Sequence, residues 1–193
     1  YKQDPSTYDM FLNTLLELED YDAAEKLVKA RLKKRRDKTM AQVDLGSLYL
    51  RIGRDEEAAT AFRSALDELA VGRGPAKRLA DAFVKLDQLD LALATYEKAM
   101  QMGSDGYGYN YELANLKGLR GDYEGMVDSF MALLHDRANY LRTVQNSFNR
   151  NLRVSTDARQ ADMVRRKVLK ASQTYPEDTV FLELLVWVFN QQR

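Results

Sequence analysis

Cysteine is absent from the 193 residues of this chain. Its absence removes disulfides, thiol catalysis and cysteine-built metal sites together, and it suits an oxidising or a reducing compartment alike. Histidine occurs once, so the side chain most used as general base and metal ligand is almost missing. No run of about eighteen apolar residues exists, and a membrane-spanning helix is not expected. No charged-then-apolar leader marks a secretion signal, although a first residue of Tyr1 is what a mature or excised segment would show. Charge of one prevailing sign is also lacking, because 29 Lys and Arg face 29 Asp and Glu. No global field therefore draws in nucleic acid or an anionic membrane.

What the chain does have is a period. Ala24, Ala58 and Ala92 stand 34 residues apart, each followed four places on by Val28, Phe62 and Tyr96, and the next step gives Met126 and Phe130. A second column reads Phe11, Leu45, Leu79 and Leu113, its neighbour Leu12, Gly46, Ala80 and Ala114, and a third Leu15, Tyr49, Phe83 and Lys117. These columns form one stripe of a first helix. Polar turns follow at Glu19-Asp20-Tyr21, Gly53-Arg54-Asp55, Asp87-Gln88-Leu89 and Gly121-Asp122-Tyr123. Each introduces a second helix whose stripe carries the Ala column, through Ala24, Val28 and Leu32 in the first copy and Ala58, Phe62, Ala65 and Leu66 in the second. A fixed period of this length marks helix pairs that bury their apolar faces only by stacking on their neighbours.

In these columns the chain resembles the tetratricopeptide repeat family, with Leu45-Gly46, Tyr49, Gly53, Ala58, Phe62 and Ala65-Leu66 as the best copy. The resemblance departs at Lys117, at Met126 and at the repeat ends, where the usual proline is missing from all four copies. It implies an all-α fold, an α-solenoid of helix-turn-helix repeats in a right-handed superhelix. The expected division is 5–38, 39–72, 73–106 and 107–140 for four repeats, 141–178 for a longer, divergent fifth, and 179–193 for the first helix of a sixth. In the fifth, helices are expected over about 139–152 and 157–174, with Ser155, Thr156 and Asp157 as candidate caps. Pro176 then leads into a helix whose stripe is Leu182, Leu185, Val186 and Phe189. The expectation is that the chain stops inside a longer array and self-associates at high concentration through this uncovered end.

The materials for catalysis are few, and the chain reads as no enzyme, with no cofactor and no metal. His135 falls near a helix end, where a histidine caps carbonyls. Gly103-Ser104-Asp105-Gly106-Tyr107-Gly108 lacks the Lys-Ser/Thr of a phosphate loop and follows no strand, so it reads as a turn. The basic run of Lys29, Arg31, Lys33, Lys34, Arg35, Arg36 and Lys38 reads as a solvated helix end favoured by the helix dipole, without the interleaved aromatics that stack on bases.

In the family resembled, first helices line a concave groove that binds peptides or partner helices. One step past the packing stripe lie Asp9 and Asn13, Val43 and Ser47, Lys77 and Asp81, Tyr111 and Asn115, each pair at i,i+4 on one face. Arg51, Arg78 and Lys85 flank them with positive charge, and Tyr107, Tyr109 and Tyr111 add aromatic area at the edge, with core packing or helix-start contacts the alternative for Tyr107 and Tyr109. The candidate peptide-binding set is therefore Asn13, Ser47, Arg51, Lys77, Arg78, Asp81, Lys85, Tyr111 and Asn115. A Lys and Asn clamp for acidic chaperone tails, known in one subclass, is not reproduced: Asp9 and Asp44 stand where a lysine and an asparagine belong, and carboxylates repel such a tail.

These features point to a non-enzymatic scaffold that binds a protein or peptide. The alternatives are a targeting or regulatory segment of a larger protein whose catalytic domain lies elsewhere, and a nucleic-acid-binding helical array that uses the basic run.

Overall fold

The structure, a computed structural model, describes residues 5–33, 38–103, 108–152, 154 and 156–191. They form two compact units, residues 1–105 and 106–193, and each is described by itself.

Among the described residues of the first unit six helices follow one another: α1 (Pro5–Glu17), α2 (Tyr21–Leu32), α3 (Lys38–Arg51), α4 (Asp55–Asp67), α5 (Arg73–Lys85) and α6 (Leu89–Met102). α1 packs on α2, α2 on α3, α3 on α4 and α5 on α6, while α3 lies beside α5 and α4 beside α6. α3 and α5 thus share one layer and α4 and α6 the other. The core between the layers is the pair of columns read from the sequence: Ala24, Val28, Ala58, Phe62, Ala92 and Tyr96 from the second helices, Leu45, Tyr49, Leu79 and Phe83 from the first, all buried. The rings of Phe62 and Phe83 meet edge to face at 5.5 Å and tie α4 to α5. One column fails at its start. Phe11 is 52% exposed whereas Leu12 and Leu15 are buried, because α1 packs along α2 and reaches α3 through Tyr8, and Phe11 falls outside those contacts.

The second unit contains α7 (Asn110–Leu119), α8 (Tyr123–Asp136), a 3-10 turn (Ala138–Tyr140), α9 (Leu141–Asn151), α10 (Ala158–Thr174) and α11 (Thr179–Asn190). α7 pairs with α8, α8 with α9 and α10, and α11 with α9 and α10. Its core runs through Met126, Phe130, Leu134, Val144, Phe148, Val164, Val168, Phe181 and Leu184. Lys117, which breaks the aromatic column, is accommodated by a polar contact: its Nζ donates to Oγ of the buried Ser129 at 3.0 Å. The helix expected from about residue 139 is shortened, since the 3-10 turn occupies its start. Of the three candidate caps, Asp157 acts, accepting from the N–H groups of Arg159 and Gln160 at 2.9 and 3.2 Å; Ser155 lies outside the described residues.

One backbone device repeats with the sequence period. Glu19, Gly53, Asp87 and Gly121 all have positive φ, at 57°, 74°, 57° and 82°. Behind each, the next N–H closes the helix end: Asp20 to Leu15 O, Arg54 to Tyr49 O, Gln88 to Phe83 O and Asp122 to Lys117 O, at 3.0, 2.8, 2.8 and 2.9 Å. This is the left-handed C-cap that satisfies orphan carbonyls and turns the chain. Asp20 and Asp122 then accept from the N–H groups of Ala23 and Gly125, capping the second helices they introduce.

α11 is buried on one side, and its expected stripe is largely uncovered. Val180, Phe181, Leu184 and Val188 are buried, while Leu182, Val186 and Phe189 are 54%, 60% and 46% exposed. Among the described residues no helix is long and apolar enough to cross a membrane.

Candidate functional site

In the first unit, α3 and α5 lie side by side and bring together six of the nine candidate residues. Ser47 and Arg51 come from α3; Lys77, Arg78, Asp81 and Lys85 come from α5. Their neighbours Leu45, Leu48, Tyr49, Leu79 and Phe83 are buried, whereas Arg51, Lys77, Arg78, Asp81 and Lys85 are exposed and Ser47 is half-buried. Helical phase alone divides core from surface here. Lys77 Nζ donates to Asp81 Oδ2 at 2.8 Å, an exposed i,i+4 pair. Asn13 is exposed on α1. Val43, taken as the partner of Ser47 on this face, is buried instead, so the polar face of α3 rests on Ser47 and Arg51.

Tyr111 and Asn115 lie on α7 of the second unit. Both are half-buried, the Tyr111 ring sits 5.9 Å from that of Tyr140, and Asn115 Nδ2 donates to the Tyr111 carbonyl at 2.8 Å. Packing and the helix itself thus claim part of what these two side chains can offer. Tyr109 is core, buried at the start of α7, and Tyr107 lies outside the described residues.

Sequence reading missed a cleft. The start of α3, the end of α4 and the first turns of α5 enclose about 520 Å³, lined by Lys38, Thr39, Met40, Leu69, Pro75 and Arg78 among others. Arg78 is the one candidate residue that reaches it. The only sign in the sequence was that Lys38 closes the basic run.

Two polar networks explain charges that otherwise invite a ligand. Asp44 accepts from the Tyr8 hydroxyl at 2.9 Å and from Arg31 at 3.1 Å, and the Arg31 guanidinium lies 4.0 Å over the Tyr8 ring. Burial first, and the Asp44 charge next, push the Tyr8 phenol well above its ordinary value. In the second network Glu25 accepts from Tyr49 at 2.8 Å and pairs with Lys29 at 2.5 Å and Arg54 at 3.7 Å. The hydrogen bond from Lys29, then that from Tyr49, hold the Glu25 carboxyl below the usual carboxylate range. Lys29 and Arg31 of the basic run are therefore engaged within the fold. Lys34, Arg35 and Arg36 lie outside the described residues.

His135 does not cap carbonyls, as its place near a helix end suggested. Its Nδ1 lies 2.7 Å from Asp178 Oδ2, and its ring stacks on Tyr175 at 3.7 Å. It joins the end of α8 to the turn before α11, which no local sequence signal announced. Among the described residues no three His, Asp or Glu side chains gather in a way that could hold a metal ion.

The family pattern described as Tetratricopeptide repeat matches residues 10–72, and a second pattern of the same description matches residues 78–102. No curated protein matches the chain. Among solved structures, a tetratricopeptide repeat protein from Parabacteroides merdae ATCC 43184 is similar at 16% identity and a TM-score of 0.39, over 96% of this chain and 72% of that one.

Proposed function

We propose that this chain, which belongs to the tetratricopeptide repeat family, is a non-enzymatic scaffold that holds a partner peptide along its first helices. Such repeats mediate protein–protein interactions, and the finer reading concerns where the partner lies. The observation that carries it is the face shared by α3 and α5. There Arg51, Arg78 and Lys85 are exposed beside fully buried packing residues, so cationic and hydrogen-bonding groups stand on a surface whose shape the core below holds rigid. Ser47 and the Lys77–Asp81 pair supply donors and acceptors for a peptide backbone.

The test selects peptides from a displayed random library on the immobilised chain and measures each against the double variant Arg51→Ala/Lys85→Ala. Binding is expected to fall at least about tenfold, roughly the loss of one charged contact, while the melting temperature stays that of the parent. Peptides that bind parent and variant alike would remove this face from the site. Asn13 on α1 of the first unit, and separately Tyr111 and Asn115 on α7 of the second, are the remaining candidates, each tested by alanine substitution against the same peptides.

A further inference from the structure

α9, inside the second unit, has two faces. Val144, Ser147 and Phe148 are buried, and α8, the 3-10 turn and α11 all pack on the helix. On the other side Arg142, Asn146, Asn149 and Arg150 are exposed, within an arc of about 100° at about 3.6 residues per turn. None of these four side chains has a hydrogen bond or ion pair among the described residues. Other cations of the unit do: Lys167 pairs with Asp128 at 2.7 Å, and Arg165 pairs with Asp162. α9 contains no Asp or Glu, and from residue 137 to 170 the chain carries nine Lys or Arg against two Asp. Solvated surfaces ordinarily intersperse both signs of charge. The charges on this face are all positive.

We infer that the exposed face of α9 binds an extended acidic peptide whose two carboxylates stand four residues apart. The spacing follows from geometry. Arg142 and Arg150 are eight places apart on one helix, about 12 Å along its axis. In an extended chain, residues i and i+4 point to the same side and lie about 13 Å apart. Each guanidinium can then take one carboxylate in a two-bond fork. Asn146 and Asn149, between them, can donate to and accept from the peptide backbone.

Two other occupants fit worse. A helix, whether from a second copy or from a further repeat, keeps its backbone groups in its own hydrogen bonds, so it denies the two asparagines the partners that an extended chain supplies. A single-stranded nucleic acid would bring phosphates, but the four exposed residues include no aromatic ring on which its bases could stack. The inference concerns the second unit alone and stands apart from the α3–α5 face.

The test uses the whole chain and a fluorescein-labelled nonapeptide rich in Thr and Val, which favour extended backbone, with Glu at its third and seventh places. Anisotropy is expected to rise to saturation in low salt. Arg142→Gln/Arg150→Gln should weaken binding at least about tenfold, as for the loss of charged hydrogen bonds, while the melting temperature is kept. Moving the second Glu to the sixth place, on the other side of the extended peptide, should weaken it comparably. Arg166→Gln/Lys170→Gln, at exposed positions of α10, should leave binding unchanged, as should Arg51→Ala/Lys85→Ala. No saturable binding, or equal binding by the α9 double variant, would overturn the site. An equal loss in the α10 variant, or indifference to the spacing of the two Glu, would show a diffuse field without a register and overturn it too. A loss with Arg51→Ala/Lys85→Ala alone would move the peptide to the α3–α5 face. Two further results would replace the peptide: an oligothymidylate that binds more tightly and is lost in the α9 variant assigns the face to nucleic acid, and concentration-dependent dimers abolished by that variant assign it to a second copy.

Discussion

Gly46 leaves no room beneath Phe62. A Cβ built on Gly46 would stand 2.5 Å from Cδ1 and 2.8 Å from Cζ of the Phe62 ring, where α3 and α4 cross. The ring is itself fixed edge to face against Phe83, so it cannot swing aside. Gly118 offers the contrast, because its Cβ would meet chiefly the sulfur of Met126 at 2.8 Å, a side chain with several rotatable bonds.

Gly46→Ala is therefore expected to destabilise by about 1–3 kcal/mol through overpacking, more than the ~0.8–1 kcal/mol that alanine gains over glycine in a helix. Gly118→Ala should come out near neutral, the two effects offsetting. Ala58→Leu and Ala92→Leu, at completely buried positions, should cost a similar 1–3 kcal/mol. Thermal melts check the series at about 2–4 °C per kcal/mol for a chain of this size. A Gly46→Ala variant that melts with the parent would mean that α3 and α4 do not approach as described.

The repeated left-handed turn separates backbone strain from packing. A Cβ on Gly53 would meet nothing within 4 Å, so any cost of Gly53→Ala comes from φ alone, on the order of 1–2 kcal/mol. Glu19 occupies the equivalent turn with a side chain that gains nothing from positive φ. Glu19→Gly should relieve strain and raise stability by a few tenths to about 1 kcal/mol. Denaturant midpoints of the two single variants should move in opposite directions; a shared direction would show that the turns are not equivalent.

The same turn shows how far the sequence could be read. Gly53 and Gly121 announce a left-handed residue, but Glu19 and Asp87 do not, and only the 34-residue spacing betrays them. Hairpin helices with one apolar stripe, such as α4 with Ala58, Phe62 and Ala65, were legible because the opposite face is polar. In α11, apolar nearly all round, spacing marked the uncovered stripe, since Leu182, Val186 and Phe189 are exposed, but it did not single out the buried side, Val180, Phe181, Leu184 and Val188. Long-range polar partners were also out of reach. Nothing local in the sequence joins His135 to Asp178 or Tyr8 to Asp44, since those pairs depend on which helices neighbour one another. For the candidate site, helical phase separates exposed Arg51 from buried Tyr49, yet it puts Val43 on the surface, and that residue is buried.

The Glu25 network gives the chain a stability that depends on acid. Glu25 accepts hydrogen bonds from Lys29 and Tyr49 and lies near Arg54, and its carboxyl is held below the usual range in the folded state. A folded value below the unfolded one means that the native state binds fewer protons, so the contribution is present above the unfolded value of about 4.3 and is lost as pH falls through the folded value. Glu25→Gln should therefore lower the urea midpoint at pH 7, and the gap to the parent should close as the buffer is taken down through the carboxylate range. Tyr49→Phe should reproduce part of that loss, since it removes one of the donors. On the alkaline side the sign reverses for Tyr49. Burial first, and the hydrogen bond to Glu25 next, raise its phenol, so its contribution is present below the ordinary value of about 10 and fades as pH climbs through the raised one. Glu57→Gln is the control, because that carboxylate is also lowered by Arg54 but stands in solvent, where such a pair adds little. Midpoints measured from about pH 3 to pH 11 for the four proteins decide the matter: a Glu25→Gln gap that stays constant down the acid limb would show that the carboxyl titrates alike in folded and unfolded chains, and that its bonds to Lys29 and Tyr49 do not form in solution.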